Sequence, residues 1–496
     1  MATVGHAEWV PIHRFELAPK LAALAVQGLA NRSGPRIFTN SRFWNWPPAD
    51  EHWRQYFERS KGAQFEEVAD LKSLVARHRD LIAGAVIYDP EVLETLCLAM
   101  TLSGLRGLLP LTESLGKDFP DLPVVEDLRA RWSSEPEALR WGLDNLLPEC
   151  ARGKAYSIDE LWSGPSIDTI DYAVMEKMFV YHVDLRSDDR GWGSVREAVQ
   201  AAVGPDCGIY GWGEPEAEHC GIATRHHNYI MCAEAPNLSF HAQVPSPRRE
   251  SYRQAARFDP SSARVEAKHY IAFMTSEGDA MKIHSVFHGG SWLNEGRGKV
   301  VVNWGFQPRM IDLFPHLIEY YYGTATEKDY FCLGASGAGF IYPNMMPEPD
   351  HFFRTTGELM RRTDTHVIEC WLHFSRPSYE RYAEVSGAMG FTLPGGPRPY
   401  AILGTGAPAM GRSGRLNYFD AKGTPQDMAN TIVEVTRDQT KPSFETVFFV
   451  PDVGDPAAQG GYSAADLATV ERLLGSEYKV CTLAEMMWAF KETKKR

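Results

Sequence analysis

The C-x-x-C spacing is absent from this chain of 496 residues, although the chain has eight cysteines. Their spacing therefore points to no paired-cysteine motif. Cys332, Cys370 and Cys481 lie inside apolar segments, where a buried free thiol is the expected state. Unpaired thiols favour a reducing compartment, and we therefore predict a cytoplasmic protein.

Long apolar runs and long basic runs are also absent. No apolar run approaches the roughly 18 residues needed to span a bilayer, so we expect no membrane partner. Residues 1–20 lack the basic start and apolar stretch of a signal peptide, which supports the cytoplasmic prediction unless a signal has been removed. The formal net charge of −13, without a lysine or arginine run, argues against nucleic acid as a partner.

Aromatic residues, in contrast, are plentiful: the chain has 13 Trp, 20 Tyr and 24 Phe. Sugar-binding clefts place aromatic faces against the apolar side of pyranose rings, although a core position is the commoner role for any single aromatic residue. The 44% of apolar residues is typical of a globular protein. The length allows two or three domains, or one barrel with an accessory domain.

The most informative segment is 334–343, GASGAGFIYP, which follows the apolar run 330–333. Its glycines allow a sharp turn close to a ligand, and Phe340 and Tyr342 lie on the same side of extended backbone. Since α/β folds place their chemistry just past the carboxyl ends of strands, we predict a ligand-binding turn, with a purely structural turn as the alternative. The spacing is not that of a phosphate loop, and Pro343 would interrupt a following helix.

Within this segment, GAGFIYP resembles the motif that names the GxGYxYP putative glycoside hydrolases, with Phe340 in place of the tyrosine. Further blocks similar to that family follow the same order, at 27–32, 34–37, 211–216, 237–239, 276–280, 297–298 and 303–308. The block at 276–280 departs from the family element S-D-G-D-N at Glu277 and Ala280. The resemblance covers about residues 21–342 and implies a hydrolase acting on a carbohydrate. The departures fit a specialised substrate or a weakened activity.

Strand and helix patterns alternate along the chain. We predict a smaller α/β accessory domain at 1–155 and a catalytic domain at 170–496 that carries the GAGFIYP motif. The strand candidates of the second domain are 179–184, 208–212, 270–274, 300–304, 330–333, 367–371, 400–404, 446–450 and 478–482. Alternation with helices implies parallel pairing. Seven to nine such units fit a TIM-like (β/α) barrel better than the alternative, an open doubly wound sheet.

Barrel enzymes hold their catalytic groups at the carboxyl ends of strands, where this chain has several acids. The predicted catalytic residues are Glu277, Asp279, Glu216 and Asp452, and Glu214 and Glu369 also follow or end strand candidates. Glycoside cleavage needs two carboxyl groups about 5–5.5 Å apart for retention, or about 6.5–9.5 Å apart for inversion. One of them acts as an acid with a raised pKa while the other stays ionised. The alternative for Glu277 and Asp279 is an acid that caps the next helix, and for Glu214, Glu216 and Asp452 it is an ordinary surface acid.

Polar and aromatic residues near the same strand ends are predicted to bind the substrate. They are Asp184, Trp212, Asn303, Trp304, Ser336, Phe340 and Tyr342. Trp212, Trp304 and Tyr342 form the predicted aromatic wall.

Six histidines support a competing hypothesis, a metal-dependent hydrolase such as a deacetylase. They are His219, His226, His227, His241, His284 and His288, which with Glu277 and Asp279 could supply a His/carboxylate site. However, Gly289 and Gly290 follow His288, and the acid of H-E-x-x-H is missing. We therefore predict that the protein needs no metal and no cofactor. A sugar-binding protein without catalysis is the third hypothesis, and an esterase is disfavoured because no G-x-S-x-G is present.

Overall fold

The computed structural model describes residues 3–42, 48–159, 166–186, 191–232, 235–275, 281–371, 374–393, 400–418, 423–450 and 461–495. Within these ranges the strands are β1 (His6–Val10), β2 (Ile37–Thr39), β3 (Gln64–Glu67), β4 (Gly84–Ile87), β5 (Leu108–Leu111), β6 (Val124–Asp127), β7 (Lys154–Ile158), β8 (Phe179–His182), β9 (Gly208–Gly211), β10 (Tyr229–Cys232), β11 (His269–Met274), β12 (Val302–Phe306), β13 (Asp329–Leu333), β14 (Val367–Glu369), β15 (Gly390–Leu393), β16 (Tyr400–Ile402), β17 (Pro408–Gly411), β18 (Asn417–Tyr418), β19 (Ser443–Phe449) and β20 (Tyr478–Val480).

The α-helices of the described ranges lie between these strands. They are α1 (Leu17–Asn31), α2 (Ala49–Ser60), α3 (Leu71–Arg77), α4 (Leu93–Arg106), α5 (Glu113–Gly116), α6 (Glu135–Asn145), α7 (Ile170–Met175), α8 (Trp192–Ala202), α9 (Glu216–Arg225), α10 (Leu238–Gln243), α11 (Met281–Ser285), α12 (Met310–Leu313), α13 (Pro315–Thr324), α14 (Asp350–Thr363), α15 (Arg376–Ser386), α16 (Pro425–Thr436), α17 (Ala464–Leu474) and α18 (Leu483–Lys495). Across the described ranges, each helix is too short or too polar to cross a membrane.

Four sheets organise the strands. Two have three strands, in the orders β2-β1-β3 and β5-β4-β6, one has four, β10-β9-β7-β8, and the largest has ten. Every ladder between the described strands is parallel except that of β16 with β17. Parallel strands are covered on both faces, and the residues of β11 and β13 are accordingly all buried. The predicted α/β class with parallel strands is confirmed.

The large sheet runs in the order β16-β17-β15-β14-β13-β12-β11-β19-β18, with β20 also paired to β11. Its strands therefore follow one another nearly in chain order, and the late strand β19 returns beside the first, β11. Among the described residues no ladder joins β17 to β18, so no closed barrel is detected and the predicted TIM-like closure is not confirmed. The sheet nevertheless curls. Arg412, directly after β17, lies 4.6 Å from the ring centroid of Phe448 in β19, six strands away in the sheet order.

Two strands that the alternating pattern assigned to the barrel, β8 and β9, lie in the separate four-stranded sheet. Both pair with β7, whose range 154–158 crosses the predicted domain limit at residue 155. Alternation in sequence indicates parallel pairing but does not say which sheet a strand joins. The ladders with β7 decide that point.

Helix α1 joins the amino-terminal sheets to α10 through buried polar contacts. Gln27 donates from Nε2 to Asn237 Oδ1 at 2.7 Å, and Asn31 donates from Nδ2 to Ser239 Oγ at 2.8 Å. Asn237 also accepts from the backbone N–H of Thr39 at 2.7 Å and donates to its carbonyl at 2.8 Å. The blocks at 27–32 and 237–239, both similar to the family, therefore contact each other in the core.

Replacing Asn237 by Ala is expected to lower the free energy of unfolding by about 2–3 kcal/mol, because it leaves buried donors and acceptors of Gln27 and Thr39 without their partner. Urea denaturation measures the change. The control is Asn430→Ala on the exposed face of α16, where the loss should stay within about 0.5 kcal/mol. Equal losses in the two variants would contradict the interpretation.

Candidate functional site

Three of the predicted catalytic acids follow two neighbouring strands of the large sheet. Glu277 and Asp279 come after β11, and Asp452 comes after β19; all three lie outside the described residues. The strands themselves run side by side, with Met274 of β11 paired to Phe448 of β19. The two strands that precede these acids therefore end side by side at the same carboxyl edge of the sheet.

A buried charged pair lies at this edge. Glu369 is the last residue of β14, and its Oε1 is 3.8 Å from Nη1 of Arg412. Both side chains are almost fully buried, and the guanidinium also lies over the ring of Phe448. Burial lowers the pKa of Arg412, whereas the carboxylate of Glu369 acts to raise it. The pair thus links the ends of β14, β17 and β19.

The motif segment connects the large sheet to the four-stranded sheet. Phe340 and Ile230 of β10 exchange two backbone hydrogen bonds, at 2.8 and 3.0 Å, in an antiparallel bridge. At the other end of the segment, the N–H of Ser336 donates to the carbonyl of Glu369 at 2.7 Å, and its Oγ donates to the carbonyl of Ile341 at 2.7 Å. The motif therefore fixes the end of β14 relative to β10.

The glycines of the motif are required by close packing. Gly337 has φ +106°, and a Cβ there would lie 2.4 Å from Oη of Tyr382. A Cβ at Gly339 would lie 2.4 Å from Cδ2 of Tyr229, whose ring is itself covered by the guanidinium of Arg309 at 4.4 Å. These contacts favour the structural-turn interpretation of the glycines.

The predicted substrate-binding residues of the motif are interior. Ser336, Phe340 and Tyr342 are all buried, and the N–H of Tyr342 donates to Thr224 Oγ1 at 3.3 Å. Phe340 and Tyr342 pack edge to face with ring centroids 5.5 Å apart. Together these three residues hold the segment in place between the two sheets.

Asn303 and Trp304, on β12, also occupy core positions. Both have no exposed surface. The indole N–H of Trp304 donates to Asp329 Oδ1 at 2.9 Å, and Asn303 Oδ1 accepts from the N–H of Leu483 at 2.7 Å. Trp304 thus contributes a hydrogen bond between β12 and β13 and is not exposed to an open cleft.

A second group of acids lies at the carboxyl edge of the four-stranded sheet. Asp159, directly after β7, accepts from Arg186 at 3.1 and 3.2 Å and from the N–H of Glu214 at 2.8 Å. Trp212, just past β9, donates from Nε1 to Glu214 Oε1 at 2.7 Å. These hydrogen bonds order the loop after β9, and sequence reasoning had found Glu214 but not Asp159.

Glu216 and Asp184 lie at this edge too. Glu216 is the first residue of α9, and its N–H donates to Glu214 Oε2 at 3.2 Å. Glu214 therefore accepts from a backbone N–H at the start of α9, a structural role that the sequence had not predicted for it. Asp184 accepts from the N–H of Arg186 at 2.9 Å. The structure therefore brings Asp184, Trp212 and Glu216 to the carboxyl edge of the four-stranded sheet. Strands β11, β14 and β19 end at the carboxyl edge of the large sheet, which is a different one.

The clustered histidines separate in the fold. His226 pairs with Glu197, and His284 lies 5.2 Å from His288, ring centroid to centroid. His241 instead stacks on His316 at 5.8 Å. Over the part of the chain that the structure describes, no group of three or more His, Cys, Asp or Glu side chains could hold a metal ion. Because Glu277 and Asp279 lie outside that part, independence of metal stays a prediction.

Buried histidines are expected to make the fold sensitive to acid. Burial lowers the pKa of His241 and His284 to about 3 and that of His219 to about 4, and it holds the pKa of His288 and His316 well below the usual value. The unfolded chain takes up these protons near pH 6.5, whereas the folded chain does not. The free energy of unfolding is therefore highest with respect to these histidines above about pH 6.5. It falls as the pH is lowered towards 4, by about 1.4 kcal/mol per pH unit for each such histidine.

Urea denaturation between about pH 7 and pH 5 tests this expectation. His316→Phe, which suits the aromatic surroundings of that residue, should reduce the slope of the free energy of unfolding against pH by the contribution of one histidine, about 1.4 kcal/mol per pH unit. The exposed His351→Gln should leave it unchanged. Identical slopes in the two variants would refute the assignment.

The comparisons with known proteins agree with this α/β architecture. Residues 267–402 match the GxGYxYP putative glycoside hydrolase C-terminal domain, residues 82–150 the GxGYxYP_N second domain, and residues 161–243 the GxGYxYP third domain. The chain belongs to the GxGYxYP family, as its resemblance predicted. The first match includes β11 to β16, the second β4 to β6, and the third β8 to β10.

Among solved structures, the chain is similar to a putative hydrolase from Bacteroides thetaiotaomicron VPI-5482. The two share 17% identity over 99% of this chain and 95% of that chain, with a TM-score of 0.82, so they share a fold. A putative polysaccharide deacetylase from Mycobacterium smegmatis aligns with 49% of this chain and 96% of its own at 12% identity and a TM-score of 0.33. The search of curated proteins finds no match.

Proposed function

We propose that this protein hydrolyses a glycosidic bond of a carbohydrate, using two carboxyl groups at the carboxyl edge of the large sheet. The observation that carries the proposal is the pairing of β11 with β19 up to Met274 and Phe448, because the acids Glu277, Asp279 and Asp452 follow these two strands. The family description as glycoside hydrolases supports the same reaction.

The chemistry divides between the two carboxyl groups. One, protonated, donates its proton to the glycosidic oxygen as the bond to the anomeric carbon breaks. The other, ionised, either attacks the anomeric carbon to form a glycosyl ester, which water then cleaves with the first group as base, or accepts a proton from a water that attacks directly. We assign these roles to Asp279 and to Glu277 or Asp452. The buried Arg412, which lies over the ring of Phe448 in β19, adds a positive charge at this edge, partly offset by Glu369, and such a charge favours the ionised partner.

We further infer a barrel-like arrangement of the large sheet, with a catalytic domain at 170–496 and an accessory domain at 1–155. The contact of Arg412 with Phe448 supports the curl, because Arg412 directly follows β17 and Phe448 lies in β19, six strands away in the sheet order. Barrel enzymes use the carboxyl ends of their strands, and Glu277, Asp279 and Asp452 follow β11 and β19 in the sequence.

The test is a set of single variants, Glu277→Gln, Asp279→Asn and Asp452→Asn, assayed for sugar release from a panel of aryl glycosides and oligosaccharides. Loss of an acid–base group should lower turnover by at least roughly 10² with an unchanged melting temperature. The matched control is Glu327→Gln, an exposed acid before β13 at the opposite edge of the sheet. Full turnover by all three variants would refute the assignment.

The same assay distinguishes other functions. Activity abolished by a chelator and restored by zinc or manganese, with acetate as the released product, would replace the glycosidase by a metal-dependent deacetylase. Sugar binding without any turnover would instead support the third hypothesis, a sugar-binding protein without catalytic activity.

A further inference from the structure

A cavity of about 560 Å³ lies in the amino-terminal half of the chain. Its lining includes Asp89, just past β4, together with Leu128 and residues 130–135, which follow β6 and reach the start of α6. Trp192, the first residue of α8, closes another side. None of the residues of the proposed catalytic edge lines it. The volume falls within the range of about 300–1,000 Å³ that is usual for small-ligand sites.

The position of the cavity in its sheet is typical of a ligand site. β4 is the central strand, with β5 on one side and β6 on the other, so the strand order reverses at β4. Open parallel sheets bind ligands outside the carboxyl ends of their strands, at the point where the order reverses. The loops that follow β4 and β6 form the cavity at that point.

Two tryptophans give the cavity rigid apolar surfaces. Trp132 is half-buried and packs on Trp141 with ring centroids 5.2 Å apart. Trp192 is 3% exposed and packs edge to face on His182 at 5.5 Å. Because the indole of Trp132 is held from behind by Trp141, a ligand meets a preformed aromatic surface there, whereas the buried Trp192 forms part of the cavity wall.

The polar part of the lining combines two carboxylate acceptors with hydroxyl groups, including that of Thr95, which both donate and accept. It contains the carboxylates Asp89 and Glu135 and the hydroxyls Ser133 and Ser134. The positive charge of Arg131 is offset, since its Nη2 donates to Glu126 Oε2 at 2.8 Å. Such a lining suits a ligand with several hydroxyl donors and disfavours an anion.

We propose that this cavity binds a neutral sugar residue, as a site separate from the catalytic edge. The apolar face of the sugar ring packs on the indole of Trp132, and ring hydroxyls donate to Asp89 and Glu135. The proposal derives from the cavity alone and does not depend on the proposed hydrolysis.

Isothermal titration of the full-length protein tests the site, with glucose, galactose, N-acetylglucosamine, cellobiose and maltose as probes and choline as a cationic comparison. At least one sugar should bind. Trp132→Ala should weaken that binding at least tenfold, Trp132→Phe should retain most of it, and Glu135→Gln should weaken it to an intermediate extent. The control is Trp488→Ala, which removes a partly buried indole from α18 and should leave the affinity unchanged.

Three results would overturn the proposal. They are the absence of binding by every sugar of the panel, equal affinities in wild type and Trp132→Ala, and binding of choline in place of sugars. Circular dichroism of each variant establishes that it is folded. Should Trp132→Ala fail to fold, Trp132→Phe with Glu135→Gln decides the question, and an unchanged affinity in that double variant contradicts the site.

Discussion

Replacing Gly337 by Ala is expected to lower the free energy of unfolding by about 4 kcal/mol. Two costs add: an L-residue at φ +106° is strained by about 1–3 kcal/mol, and overpacking costs about 1–3 kcal/mol more. The new Cβ would lie 2.4 Å from Tyr382 Oη and 2.6 Å from Thr356 Cγ2. Tyr382 cannot yield easily, because its hydroxyl donates to the carbonyl of Ser336 at 2.5 Å and its ring stacks on Phe353 at 3.8 Å.

The matched control for this prediction is Gly323→Ala near the end of α13. A Cβ there meets nothing within 4 Å, so alanine should be neutral or stabilising by up to about 1 kcal/mol. Urea denaturation of both variants gives the comparison. A loss of less than about 1 kcal/mol for Gly337→Ala would show that the motif turn can rearrange, and the packing argument would fail.

Replacing Arg412 by Met should destabilise the fold by about 3–5 kcal/mol, because it removes the cation 3.8 Å from the buried carboxylate of Glu369. The double variant Arg412→Met with Glu369→Gln should regain part of this loss, since no buried charge then lacks its counter-ion. A double-mutant cycle in urea measures the coupling.

The neighbouring surface pair of Arg415 and Glu434 provides the control. Their side chains are exposed and 2.5 Å apart, so Arg415→Met should cost less than about 1 kcal/mol. If the two arginine variants lose equal stability, the pair of Arg412 with Glu369 contributes no more to folding than a surface pair, and the burial argument is refuted.

Several features could be predicted from local sequence. Periodicity placed 208–212, 270–274, 330–333 and 478–482 close to the observed strands β9, β11, β13 and β20. The apolar surroundings of Cys332, Cys370 and Cys481 predicted buried free thiols, which is confirmed. Capping sequences also act locally: Thr424 with Asp427 begins α16, and both form the reciprocal hydrogen bonds of a capping box.

Other elements were missed because their local signal is weak. The short strands β15 (Gly390–Leu393) and β17 (Pro408–Gly411) contain glycine or proline, and 400–404 proved to contain β16, an antiparallel edge strand. Arg412, which follows β17, was consequently missed as the partner of Glu369. Trp304 was expected in the aromatic wall of a binding cleft, but it lies in the core. The prediction failed because the position of a residue along a strand does not tell which face of the strand another element covers.

By itself, the sequence determined the α/β class, the family and the strands after which the acids come, because each of these depends on residues close together in the chain. Only the tertiary structure decided that β8 and β9 pair with β7 and not with strands of the large sheet, and that Glu369 lies beside Arg412. It also decided that the motif joins two sheets through Ile230 and Phe340. Such pairings join residues tens to hundreds of positions apart. They are selected by the burial and hydrogen bonding of the whole fold, which no local pattern contains.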